Sequence, residues 1–109
     1  MAKKPKKKRA RTLRRAESRA RAKEIADRLT LASLEPGGRA ERPLQVPTAA
    51  LVETRAAALG CPACDSPARA LSHDALEVDG VSLRHVVTRC TECEHEREVW
   101  VRIVVDAPN

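Results

Sequence analysis

The clearest pattern along the chain is an alternation of residues between two faces in residues 96–105. Val99, Val101, Ile103 and Val105 share one face of an extended segment, and Glu98, Trp100, Arg102 and Val104 share the other. This period of two predicts a β-strand. The β-branched residues 81–89 predict a second strand, and residues 68–72 predict a third. Asp79-Gly80 predicts a hairpin turn before the second strand, after an irregular stretch at 73–79.

Residues 13–34 have the composition of an α-helix, because they are rich in Ala, Arg, Leu, Glu and Lys and contain neither Gly nor Pro. Their apolar residues project to two nearly opposite sides: Leu13, Ala16, Ala20, Leu31 and Leu34 to one, and Ala22, Ile25, Ala26, Leu29 and Ala32 to the other. We therefore expect a helix without one buried face. Pro36-Gly37-Gly38 is expected to end it.

These patterns divide the chain into five segments. Residues 1–35 form a basic arm, which we expect to be disordered over 1–12 and helical afterwards. Residues 36–47, with Pro43 and Pro47, predict an extended linker. Residues 48–60 predict a short helix, with Thr48 as its N-cap and Gly60 at its C-terminal end. Residues 61–105 hold the predicted strands, and residues 106–109 are a tail.

The apolar content is too small for a conventional core. Of the 109 residues, 42% are hydrophobic, but much of this fraction is alanine, and Trp100 is the one aromatic residue. A core of valines, leucines and a single tryptophan would be marginally stable. A metal ion that links distant parts of the chain is therefore expected on physical grounds.

Four cysteines supply suitable ligands, in the pairs Cys61-Pro62-Ala63-Cys64 and Cys90-Thr91-Glu92-Cys93. Two cysteines separated by two residues can bind one metal ion from a single tight turn, and two such turns complete a tetrahedral site. Two disulfides are the alternative in a secreted protein. Because the sequence shows no secretory signal, we expect a reducing compartment, the cytoplasm or, in a eukaryote, the nucleus.

The order of CPxC, strand, hairpin, strand, CxxC and strand over residues 61–105 resembles the zinc-ribbon family. The resemblance implies a small metal-stapled α+β fold, with a three-stranded antiparallel sheet preceded by the short helix and the basic arm. It also implies one structural Zn²⁺ bound by Cys61, Cys64, Cys90 and Cys93. Glycine often follows the second cysteine of each family turn, because the backbone there approaches positive φ; here Asp65 and Glu94 take that place.

We expect the protein not to be an enzyme, because four thiolates leave no open coordination position on the metal. Iron is disfavoured, since rubredoxin-like iron sites are normally surrounded by aromatic residues. The spacing is also similar to the C-terminal ribbon of transcript-cleavage elongation factors, which carries an adjacent Asp-Glu pair at a hairpin tip. Glu77-Val78-Asp79 separates the two carboxylates here, so that catalytic role is not implied. His73, His85 and His95 are interpreted as packed or surface residues.

The first thirty residues carry thirteen Lys and Arg against three acidic residues, whereas the other 79 carry eight against twelve. The simplest partner for such a block is a phosphate backbone, DNA or RNA, bound without sequence readout. The candidate nucleic-acid-binding residues are Lys3, Lys4, Lys6, Lys7, Lys8, Arg9, Arg11, Arg14 and Arg15. No apolar cluster accompanies these charges, so a membrane surface is disfavoured.

The cysteine-containing region has the opposite charge. Glu92, Glu94, Glu96 and Glu98 concentrate negative potential around the second cysteine pair. We therefore expect this region to dock on a protein of the transcription or translation machinery rather than on nucleic acid. An alternative is a protein–protein adaptor with no nucleic-acid role. Neither hypothesis includes a small-molecule substrate.

Overall fold

The computed structural model describes residues 6–105, with side chains described from residue 10 onward. Its elements in chain order are α1 (Lys6–Leu34), β1 (Leu44–Val46), α2 (Val52–Ala58), β2 (Ala68–Val78), β3 (Val81–Cys90) and β4 (Glu96–Ile103). A single 3₁₀ turn, Ala49–Leu51, precedes α2. The predicted helix over 49–59 is therefore divided into two short pieces, and Thr48 makes no side-chain cap bond. The predicted tail, 106–109, lies outside the described residues.

The four strands form one mixed sheet in the order β1-β4-β3-β2. β3 pairs antiparallel with both β2 and β4, whereas β1 runs parallel to β4, with Leu44 opposite Val101 and Val46 opposite Ile103. The prediction of a three-stranded antiparallel sheet is therefore wrong for the sheet as a whole: β2, β3 and β4 pair antiparallel as expected, but a fourth strand, β1, is present and runs parallel to β4. The fourth strand comes from residues 36–47, which the sequence predicts as a linker, because Leu44 and Val46 reach the free edge of β4.

The β2–β3 hairpin has the turn that Asp79-Gly80 predicts. Both residues have positive φ, 50° and 79°, and they connect the paired residues Val78 and Val81. This is the geometry of a type I′ turn, which matches the twist of the two strands. β2 is longer than predicted, since residues 73–78 pair with β3 instead of forming an irregular stretch. A register shift between Ala70 and Ser72 accommodates this length.

The core lies between α2 and one face of the sheet. It consists of small aliphatic side chains: Val46, Val52, Ala56, Val86, Val99 and Val101. The alternation predicted for β4 holds for Val99 and Val101, which are fully buried, but Val105 follows the end of the strand and is 79% exposed. Six small side chains bury little area, so this core agrees with the expected need for a metal crosslink.

Helix α1 extends away from this body. It begins at Lys6 rather than near residue 13, so residues 6–12 are helical, and residues 1–5 lie outside the described part. Its 29 residues correspond to a rod of roughly 44 Å. Every residue from 11 to 27 is exposed, and the molecule measures 81 × 25 × 25 Å. No helix in the described residues is both long enough and apolar enough to cross a membrane.

Gly37 joins α1 to the sheet. Its amide donates to the Arg42 carbonyl at 2.7 Å, and its carbonyl accepts the Trp100 amide at 2.7 Å. Its φ of 94° favours glycine, and a Cβ atom would lie 2.8 Å from Leu44 Cγ. The predicted end of the helix at Pro36-Gly37-Gly38 thus also positions the chain for β1.

Candidate metal centre

The two cysteine pairs meet at one end of the sheet. The first lies between α2 and β2, and the second lies between β3 and β4, with Cys90 as the last residue of β3. All four Sγ atoms lie within 4.8 Å of one another. The separations are 3.4 Å for Cys64–Cys90, 3.5 Å for Cys61–Cys93 and 3.6 Å for Cys64–Cys93. Zn–S bonds of about 2.3 Å in a tetrahedron place sulfurs roughly 3.8 Å apart, so the cluster can hold one such ion.

The sulfurs are not joined as disulfides. All four cysteines are free, and the Sγ separations far exceed the S–S bond length of about 2.05 Å. Each turn contributes one buried thiol, Cys61 or Cys90, and one exposed thiol, Cys64 or Cys93. The cluster is thus anchored in the body on one side and open to solvent on the other.

The two cysteine turns share one backbone conformation. The amide of Cys61 donates to the Ser66 carbonyl, and the amide of Cys90 donates to the His95 carbonyl, both at 2.9 Å. Asp65 and Glu94, which follow the second cysteine of each pair, both have φ of 63°. The positive φ expected at these two positions is therefore present. In each turn a residue with a carboxylate side chain therefore adopts a backbone conformation that favours glycine.

Hydrogen bonds to sulfur favour thiolates in the cluster. The amides of Glu92 and Cys93 donate to Cys90 Sγ at 3.3 and 3.4 Å. The hydroxyl and amide of Ser66, followed by the Cys90 side chain, lower the pKa of Cys64 to about 6. A thiol at this pKa is mainly deprotonated at neutral pH, which is the form that binds a metal ion.

The pKa of Cys93 is shifted in the opposite direction. The backbone of His95 favours its thiolate, but desolvation and hydrogen bonds with the other three cysteines together raise the pKa of Cys93 to about 12. Four sulfurs this close cannot all carry negative charge without a cation. Metal binding would therefore displace the Cys93 proton.

Two arginines lie beside the cluster, and no pattern in the sequence predicts that either of them is near the cysteines. Arg28 of α1 donates from Nη1 to the Asp65 carboxylate at 3.2 Å and to the Ala63 carbonyl at 3.5 Å. Burial lowers the pKa of Arg97, and the charges of Glu35 and Cys61 oppose that shift. Arg97, Cys61, Pro62 and Arg28 line one cleft between α1 and the body. Both cations lie where they can offset thiolate charge.

The histidines lie outside the cluster of possible ligands found in the described residues. His85 packs against Trp100, with ring centroids 4.6 Å apart, and its Nε2 lies 3.2 Å from a Glu98 oxygen. His73 Nε2 lies 3.2 Å from an Arg84 nitrogen, while its Nδ1 lies 4.0 Å from a Glu53 oxygen. The candidate metal ligands found in the described residues are therefore all cysteines.

The candidate nucleic-acid-binding residues are not near the cysteines. Lys3 and Lys4 lie outside the described residues; Lys6, Lys7, Lys8 and Arg9 form the first turn of α1; and Arg11, Arg14 and Arg15 are exposed farther along it. Arg15 precedes Arg28 by thirteen residues, a rise of roughly 20 Å along the helix. The cationic segment and the cysteine cluster are thus separate parts of the molecule.

Comparison of the chain with protein-family models, curated protein sequences and solved structures finds no match. The class of protein is therefore defined by the fold and the site themselves. This is a small α+β protein with a four-stranded mixed sheet, a projecting helix and four cysteines positioned to hold one metal ion.

Proposed function

We propose that the protein is a zinc-ribbon protein in which Cys61, Cys64, Cys90 and Cys93 bind one structural Zn²⁺, and in which α1 binds nucleic acid. The zinc assignment is supported by the sulfur separations and by the all-cysteine donor set, which suits Zn²⁺. In this proposal β1 is an addition to the three strands of the family. Four thiolates complete the coordination of the metal, so its role is structural and not enzymatic.

The nucleic-acid role rests on one observation, the exposed cations of α1 between residues 10 and 24. Six cationic side chains between residues 10 and 24 are exposed, and none forms an ion pair with another described residue: Arg11, Arg14, Arg15, Arg19, Arg21 and Lys23. Charges left free on a projecting helix favour an anionic partner over an intramolecular role. Phosphate groups are the natural partner, through counterion release.

The cysteine-containing body suits a different partner. Glu92, Glu94, Glu96 and Glu98 are all exposed around the second cysteine turn. Arg89 lies 3.5 Å from Glu94, and His85 lies 3.2 Å from Glu98, but neither Glu92 nor Glu96 has an ion pair within the described residues. In the proposed function this acidic surface docks on a basic surface of a protein in the transcription or translation machinery.

A charge-neutralisation experiment tests the nucleic-acid role. A variant with Arg11, Arg14, Arg15 and Arg19 replaced by Gln keeps helix propensity but removes four charges from α1. The matched control replaces Arg39, Arg55, Arg69 and Arg102, which are exposed residues of the body, by Gln. We expect the α1 variant to lose at least about tenfold in affinity for nucleic acid, with a shallower salt dependence, and the control to lose much less. Equal losses in both variants would contradict the proposal.

The second candidate is a protein–protein adaptor. It is favoured by the apolar residues that α1 exposes, since Leu13 is 57% and Leu31 is 61% accessible. Purification of bound partners with and without nuclease separates the two functions. Partners that remain after nuclease treatment, together with no measurable binding to nucleic acid, would favour the adaptor.

A further inference from the structure

Between residues 11 and 27 of α1, cationic and acidic residues lie on different sides of the helix. With about 3.6 residues per turn, Arg11, Arg14, Arg15, Arg19, Arg21 and Lys23 fall within an arc of roughly 200° around the helix axis. The acidic residues of the helix, Glu17, Glu24 and Asp27, fall within roughly 80° on the opposite side. We call the first arc the basic face. Its width leaves cations on both flanks of the helix as well as at its centre.

The basic face occupies the part of α1 that extends beyond the body. Along the same side of the helix, most residues after Lys23 are apolar, and the last two apolar ones, Leu29 and Ala32, are half-buried. Arg28 is held by Asp65 and Ala63. One end of this side therefore attaches the helix to the body, while the other end leaves its cations exposed.

A helix with cations on both flanks matches a groove lined by phosphates on both sides. An α-helix with its side chains is about 10–12 Å across, and the major groove of B-DNA is about 12 Å wide. Arg14 and Arg21 lie toward one flank, and Arg19 and Lys23 lie toward the other. Between them, near the centre of the face, are Arg11, Arg15 and the small residues Ser18 and Ala22, which allow close approach to the groove floor.

We propose that α1 binds in the major groove of duplex DNA, with its basic face toward the DNA and its acidic side toward solvent. This inference rests on the proposed nucleic-acid function and specifies the ligand. Arginines on the flanks contact the two phosphate backbones, and Arg11 and Arg15 reach the edges of the bases.

The same geometry disfavours the other nucleic acids. The major groove of A-form RNA is deep and narrow and does not admit a helix of this width. Single strands are usually held by stacking on aromatic side chains, and α1 contains none. Duplex DNA is therefore the ligand that the shape and composition of the helix fit best.

The test compares binding of the full-length, zinc-loaded protein to three probes of about 20 base pairs or nucleotides, roughly two duplex turns: duplex DNA, duplex RNA and single-stranded DNA. The key variant is R15E/E17R, which exchanges one charge between the two sides of α1 without changing net charge. A second variant, Ser18→Pro, breaks the helix and keeps every charge, with Ser18→Ala as its control. Circular dichroism verifies that R15E/E17R keeps its helix.

We expect the native protein to bind duplex DNA at least about tenfold more tightly than the other probes. We expect R15E/E17R and Ser18→Pro each to lose about tenfold in affinity for duplex DNA. Equal or tighter binding to duplex RNA or single-stranded DNA overturns the groove inference, as does undiminished DNA binding by R15E/E17R and Ser18→Pro. In those cases α1 acts as an electrostatic arm, and the proposed nucleic-acid function survives. If the native protein binds none of the three probes, both proposals fail.

Discussion

The Arg28 guanidinium lies 3.2 Å from the Asp65 carboxylate and so joins α1 to the first cysteine turn. The same side chain also lies 3.4 Å from Glu24, one helical turn earlier. The Arg28 side chain is 41% exposed and that of Asp65 is 81% exposed, so solvent screens the pair. Such pairs contribute about 0–1 kcal/mol to stability. We infer that this contact orients the helix more than it stabilises the fold.

Replacing Arg28 by Ala should therefore loosen α1 without unfolding the body. We expect the free energy of unfolding to change by less than about 1 kcal/mol. Backbone ¹⁵N relaxation should show increased motion of residues 11–27 relative to the sheet. Lys23→Ala, at an exposed position without an ion pair in the described residues, is the control. Unchanged relaxation in R28A would show that other contacts hold the helix.

Removal of the metal should unfold the body, because the core is too small to fold without a crosslink. We expect one zinc per chain by elemental analysis, and loss of the dispersed amide signals of β2–β4 on chelation. Cys90→Ser should weaken zinc affinity by more than about 100-fold. Thr91→Ser, in the same turn, keeps its hydroxyl and should bind zinc normally. Retained zinc and dispersion in C90S would contradict a metal role for the cysteines.

Zinc affinity should increase with pH, because metal binding displaces the Cys93 proton. The pKa of Cys93 is raised to about 12, so this thiol keeps its proton near neutral pH, and affinity should rise at least about tenfold per pH unit from pH 7 to 8. Competition with a chelator of known affinity measures this dependence. An affinity independent of pH over that range would be inconsistent with it.

Ser66 should extend zinc binding to lower pH. Because Ser66 lowers the pKa of Cys64 to about 6, protons compete little with the metal for the Cys64 sulfur until the pH falls to that value. In Ser66→Ala the pKa of Cys64 should rise toward 9.0. Zinc affinity should then fall markedly near pH 7 and little near pH 9. The same loss at both pH values would indicate a packing effect instead.

The strained positions in the cysteine turns should accept glycine with a gain in stability. A longer side chain in the left-handed region costs about 1–2 kcal/mol, so Glu94→Gly should stabilise the zinc-loaded protein by about 0.5–1 kcal/mol after the entropy cost of glycine. Glu94→Ala should give no such gain. Glu92→Gly, at a residue without positive φ, should destabilise the protein. Chemical denaturation measures all three, and a loss of stability in E94G would refute the strain argument.

Gly37 should be intolerant of a side chain for two reasons, its backbone conformation and its packing. Gly37→Ala should destabilise the protein by about 2–4 kcal/mol, because the new Cβ adds a 2.8 Å approach to Leu44 to the cost of a positive φ. Gly80→Ala, with φ of 79° and no atom within 4 Å of the new Cβ, should show the backbone cost alone. Equal losses in thermal denaturation would show that Leu44 moves aside freely.

The elements with local signals could be predicted from the sequence. The alternation around Val99 and Val101, the Asp79-Gly80 turn and the end of the helix before Gly37 each depend on residues close together in the chain. The proximity of the four cysteines was predictable because two CxxC pairs are the spacing typical of two metal-binding turns that share one ion. Positive φ at Asp65 and Glu94 was implied by the resemblance to zinc-ribbon turns.

The features that were missed depend on distant residues. β1 is three residues long, and its parallel pairing with β4 joins positions more than fifty residues apart. Its signal was present, since Leu44 and Val46 alternate with Gln45, and Pro47 favours an extended conformation before it. Arg28 carries no pattern that points to Asp65, because nothing local shows where an exposed helix will touch the body. The start of α1 at Lys6 was missed because charge density indicated disorder.

The connection through Gly37 has a mechanical consequence. α1 is attached to the body near one end and is roughly 44 Å long, so any rotation at the junction displaces the far end of the helix most. A tilt of about 10° there would sweep the far end of such a rod through roughly 8 Å. A small rotation where β1 meets β4 would therefore become a much larger displacement at the far end of α1.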